Sequence, residues 1–134
     1  MSMETSHCLE LNLKTLAVNN PALAERLQSA PPEHGLEIVP SKTGRPVLIR
    51  QGVSLHSRHD PIDEAEKFAA SPAADRARAW GRNVVVFGLG LGYHVKALAG
   101  KFKNLYVVEP SLAVLRLALA QEGWEDLLDR VSFI

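Results

Sequence analysis

The sequence predicts an α/β fold: a partial, Rossmann-like parallel sheet preceded by an N-terminal helical segment and a small β-hairpin. Three observations predict it. Short apolar runs near 84–87, 105–108 and 131–134 alternate with helix-period segments, the pattern of a doubly wound sheet. The turn after the first run reads FGLGLGYH and places Gly88, Gly90 and Gly92 between strand and helix. Glu109 stands just past the second run, 21 positions after Gly88 (109 − 88). An acid at about that distance closes the pattern of a nucleotide-binding strand–turn–helix–strand.

Taken in order, residues 1–35 read as the helical segment. Leu9, Leu13, Leu16 and Ala17 recur at near-helical spacing up to Val18. Asn20 then caps a second helix with Pro21 in its first position, and Pro31-Pro32 ends it. Residues 36–60 read as the hairpin region: Leu36–Val39 and Val47–Arg50 are β-rich, Gly44 lies in the connection, and Val53–Leu55 adds a short strand. Residues 61–134 read as a truncated α/β unit. Asp60-Pro61 starts its first helix, with Ile62, Ala65, Phe68 and Ala69 on one apolar face and an Asp63–Lys67 pair on the other. After Pro72, Ala73–Trp80 makes a second short helix. Val84–Phe87 is uniformly apolar, as expected of a central strand buried on both faces, and Leu105–Val108 is of the same type. Between them Val95, Leu98, Ala99 and Phe102 form an apolar stripe, and Ser111 caps a helix whose Leu112, Leu115 and Leu119 face inward.

Composition removes several function classes. The 134 residues carry no net charge and no basic cluster beyond two adjacent residues, so an electrostatic nucleic-acid footprint is not expected. No apolar stretch approaches membrane-spanning length, and the N-terminus lacks the basic start and apolar core of an export signal. Cys8 is the one cysteine, which fits a reducing compartment. A cytoplasmic protein is expected.

The glycine turn carries the chemical question. A first glycine lets the chain leave the strand sharply, and a second lets a ligand approach bare backbone. The amides opening the helix can then meet its negative groups. Gly88, Gly90 and Gly92 fill those places, Tyr93 and His94 open the helix, and Glu109 would accept hydrogen bonds from ribose hydroxyls. The glycine spacing resembles the nucleotide turn of S-adenosylmethionine-dependent methyltransferases, although Val86 occupies the position where that family usually has an acid. Equally, the glycines could only permit close packing, and Glu109 could only receive backbone amides. No particular cofactor is singled out. No serine, cysteine or aspartate near the turn offers a nucleophile, so no catalytic residue is assigned.

His56, His59 and Asp60 raise the possibility of a metal site. Asp60 is better used as a helix cap, and His7 and His34 are isolated, so no metal ligand set is assigned.

Four stretches, NLKTLAVNNPALAERL, LHSRHDPIDEAEKF, VVVFGLGLGYHVKAL and LYVVEPSLAVLRLAL, occur in this order. Their succession resembles the N-terminal region of the motility-associated factor (Maf) family of bacterial glycosyltransferase-like proteins. That resemblance implies a longer parent protein that transfers nonulosonic acids from CMP-activated donors onto flagellin. It also places the transferase chemistry in a central domain beyond Ile134, so no family catalytic residue falls on this sequence. The matching motif positions are Gly88, Gly90, Gly92, Tyr93, His94 and the Glu109-Pro110 pair. The implied role is a non-catalytic N-terminal domain, an N-terminal fragment of the parent, with a possible nucleotide-type ligand at the turn; the cofactor half of a methyltransferase is the alternative. Its partners would be the remainder of the parent and flagellin. An incompletely covered sheet also predicts self-association of the fragment.

Overall fold

The computed structural model describes residues 2–134. Helix α1 (Met3–Asn19) starts a turn and a half before the periodicity that marks it, because Ser2 caps it by accepting the Thr5 N–H at 3.2 Å. Asn20 accepts the Leu23 N–H at 3.2 Å and, with Pro21 in the first position, begins α2 (Pro21–Gln28). Leu9, Leu16, Ala24 and Leu27 are buried in the main core. Buried Asn12 fastens α1 across the molecule, its Nδ2 donating to the Leu119 carbonyl at 2.7 Å. The antiparallel sheet runs β1 (Leu36–Pro40), β2 (Pro46–Arg50), β3 (Val53–Ser54), with β2 in the middle and its Val47, Leu48 and Ile49 buried.

Helix α3 (Pro61–Ala69) begins as its sequence directs: Asp60 accepts the Asp63 N–H at 3.0 Å, and Lys67 pairs with Asp63 at 2.9 Å in solvent. Ala65 and Ala69 face inward. Phe68 does not complete that face; it is half exposed and meets the His94 ring edge-on, with centroids 6.2 Å apart. Ser71 caps α4 (Pro72–Trp80).

The second sheet is parallel: β4 (Asn83–Phe87), β5 (Asn104–Val108) and β6 (Val131–Phe133), in that spatial order. Helices α5 (Tyr93–Leu98) and α6 (Leu112–Leu119) make the two crossovers. Both crossovers step across the sheet in the same direction, so the right-handed rule puts both helices on one face. Burial agrees. Val86, Leu105, Val107 and Val131 are buried with Leu98, Phe102, Leu115, Leu119 and Trp124 in one core.

The other face corrects the sequence reading of β4 and β5. Val85 is 53% exposed, Phe87 80% and Tyr106 36%, so these strands are covered on one side only. β5, not β4, is the middle strand, and β4 forms an edge. An unbroken apolar run indicates two-sided burial only when something lies on both sides.

Candidate functional site

The Gly88–Gly92 corner closes upon itself. The Gly88 N–H donates to the Val108 carbonyl at 2.9 Å, and the Gly92 N–H donates to the Leu89 carbonyl at 3.0 Å. The Leu89 N–H donates to Glu109 Oε1 at 3.0 Å, while Glu109 Oε2 accepts the Ser111 N–H at 3.0 Å. The Leu91 N–H donates to His56 Nε2 at 3.1 Å, which puts the neutral imidazole's proton on Nδ1. His94 Nε2 donates in turn to the Gly88 carbonyl at 2.9 Å. Leu89 through Gly92 are all buried.

Two of the three glycines, Gly90 and Gly92, are approached closely by protein atoms, whereas a Cβ at Gly88 (φ +86°) would meet nothing within 4 Å. Gly90 has φ +56°, and a Cβ there would lie 2.5 Å from His56 Cε1. Gly92 has φ +90°, and a Cβ there would run into the Trp124 ring. Both positions therefore combine left-handed backbone with a side chain already seated where a substituent would go. Burial, reinforced by the charge of His94, pushes the His56 imidazole down to about 4. His56 is thus held neutral, the form that can accept the Leu91 N–H.

A second cluster joins the two sheets. Tyr93 turns away from the strand ends, and its hydroxyl donates to the Pro46 carbonyl at 2.5 Å. Burial raises that phenol to about 12. Lys96 donates to the Glu122 carbonyl at 2.6 Å with its ammonium 4.8 Å from the Trp124 ring centroid. Burial lowers this lysine to about 8, against the opposing pull of Glu122 and Glu125. Arg45 pairs with the Glu122 carboxylate at 3.2 Å at the mouth of a cleft of about 540 Å³ between hairpin, α3 and α5.

Of the residues singled out in the sequence, Gly88, His94 and Glu109 meet at one corner, whereas Tyr93 points into the hairpin. Glu109 also belongs to a chain of contacts: Ser111 Oγ donates to Glu33 Oε1 at 2.9 Å, and Glu33 pairs with Arg50 at 3.0 Å. The sequence reading missed His56 as the corner's partner, 35 residues away, and Trp124 behind Gly92. The one available sign for His56 is its place in a polar run next to a helix start. His59, by contrast, uses its backbone, its carbonyl accepting the Thr43 N–H at 3.3 Å.

Glu109→Gln should lower stability by about 1–2 kcal/mol, since an amide has one acceptor oxygen for two backbone N–H donors. Urea melts measure this; an unchanged midpoint would show that these amides do not depend on the carboxylate.

Two likenesses place this chain among known proteins. The family model for the glycosyltransferase Maf N-terminal domain matches residues 62–132, which hold Gly88–Gly92, Glu109 and the parallel sheet into β6 but not His56. The chain is also similar to the solved Maf glycosyltransferase from Magnetospirillum magneticum AMB-1, at 20% identity and a TM-score of 0.73. That likeness covers 97% of this chain and 27% of the other, so the chain spans about a quarter of the protein whose fold it shares. No curated protein matches. Because the family match covers more than half of the sequence, the chain belongs to the family of Maf glycosyltransferase N-terminal domains.

Proposed function

We propose that this chain is the non-catalytic N-terminal domain of a longer, cytoplasmic Maf-type protein that glycosylates flagellin with nonulosonic acids. In this reading the transferase chemistry lies elsewhere in the parent polypeptide, and the glycine corner joins parts of the domain rather than gripping a nucleotide. One observation carries it. The carboxylate that would meet ribose and two amides of the turn are engaged by the protein itself: Glu109 accepts the Leu89 and Ser111 N–H groups, and His56 accepts the Leu91 N–H. A nucleotide would have to displace these bonds, and α5, with six residues, contributes only a short dipole.

The test is a calorimetric titration of this chain with CMP, S-adenosylmethionine and NAD, paired with a transfer assay on flagellin. No heat at millimolar ligand and no transfer by this chain alone are the expected results. Micromolar affinity abolished by Glu109→Gln would restore the corner as a binding site, and transfer by the isolated chain would end the non-catalytic assignment. No helix among the described residues is long and apolar enough to cross a membrane.

A further inference from the structure

We infer that the bare face of the parallel sheet and the free edge of β4 are the seam joining this domain to the rest of its own polypeptide. The joining segment would add a strand beside β4 and lay an apolar helix over Val85, Phe87 and Tyr106. This rests on the reading of the chain as one domain of a longer Maf-type protein.

Topology identifies the occupant. α5 and α6 lie on one face because both crossovers step from β4 toward β6. A strand added at the other edge, beside β4, is reached by stepping back, and a right-handed connection in that direction carries its helix over the opposite face. That is the face on which Val85, Phe87 and Tyr106 stand exposed side by side, Val85 being the register partner of Tyr106. The edge is open as well. β4 pairs only with β5 among the described residues, and its sequence NVVVF carries no charge or proline to deter a further strand.

Area decides between this occupant and a second copy of the chain. The three side chains expose on the order of 300 Å², the low end of the largest apolar patch on an ordinary monomer, and what sets them apart is their place beside an open strand edge. That area is less than half of the roughly 800 Å² per partner that a stable complex buries. A tethered segment needs far less contact, since its effective concentration is in the millimolar range for short linkers, about 1 mM or above. The self-association expected from the sequence would use the same face and is the competing outcome.

Hydrogen–deuterium exchange separates the two. The peptide spanning residues 83–88 is followed in this chain and in the longer polypeptide, each at low and high protein concentration. We expect exchange at least about tenfold slower in the longer polypeptide, independent of concentration. Phe87→Asp should return it to the fast rate there. Trp124 emission of the same variant made in this chain, in a Trp80→Phe background, checks that it remains folded, because Trp124 is fully buried and Trp80 is 92% exposed. Equal lability in both polypeptides would overturn the inference. So would protection in either one that grows with concentration, which assigns the face to a second copy. Absence of transferase activity with protection intact would sink the proposed function while leaving the seam in place.

Discussion

Trp124→Ala is expected to lower the unfolding free energy by about 4 kcal/mol, the largest loss for any single side chain in the molecule. The indole is fully buried, and its Nε1 donates to the Ala118 carbonyl at 2.8 Å. One ring face receives the Lys96 ammonium, the Phe133 ring meets it at 6.2 Å, and its six-membered ring presses on Gly92. Removing it opens a cavity where β6, α5 and the corner converge, takes one of its hydrogen bonds from the Ala118 carbonyl, which keeps the Gln121 N–H at 3.1 Å, and strips Lys96 of its cation–π partner. Gly92→Ala tests the same contact from the other side. It places a Cβ at φ +90° against the ring, and strain plus repacking should cost about 2–3 kcal/mol. Chemical denaturation followed by circular dichroism reads both. A loss below about 1 kcal/mol for Trp124→Ala would mean that the corner does not rest on the indole.

The sequence displays the strands and caps well because both are local. Asn20, Asp60 and Ser111 each sit immediately before the helix whose third amide they receive, so residue type and position suffice. The parallel pairing of 84–87 with 105–108 likewise follows from two apolar runs separated by a helix-period segment. What could not be read is what lies against each face. Val85 and Val86 are chemically identical and adjacent, yet one is exposed and the other buried, because only one side of the sheet carries helices. The corner stayed open between ligand binding and close packing for a related reason. A glycine needed because a ligand approaches and a glycine needed because His56 or Trp124 approaches leave the same letter in the sequence. Only the partner's position tells them apart, and both partners lie more than 30 residues from the glycine they face.

That distinction bears on function. His56 comes from the segment linking the hairpin sheet to α3, and Trp124 from the segment linking α6 to β6. Tyr93 adds a bond from α5 to Pro46 on β2, and Glu33 ties Arg50 on β2 to the cap of α6. The corner is therefore a place where side-chain hydrogen bonds tie the antiparallel and parallel sheets together. Sequence features that suggest nucleotide binding in an isolated strand–turn–helix become, in this context, the means of holding two sheets together.

The dependence on His56 gives the second large effect, and it appears with pH. The imidazole is buried against Tyr93, whose ring centroid lies 5.1 Å away, with His94 adding like charge when protonated and Glu64 nearby on α3. In the folded protein it gains a proton only near pH 4, whereas in the unfolded chain it does so near its ordinary 6.5. The folded value is the lower one, so the unfolded state takes up the proton first as pH falls. The stabilisation is whole above about pH 6.5, declines between 6.5 and 4, and is gone below 4, a total of about 3 kcal/mol. Against the roughly 5–15 kcal/mol of a typical domain, that is enough to shift the urea midpoint visibly. Carboxylates titrate in part of this window, so the measurement that isolates His56 is a difference: urea melts from pH 7.5 to 4 on the natural sequence and on His56→Gln. Glutamine keeps an acceptor within reach of the Leu91 N–H but cannot gain a proton, so its curve should be flatter by about that amount. Parallel curves would show that the imidazole is not held neutral against the corner. The interpretation of Gly90 as a seat for His56, and not for a ligand, would then lose its support.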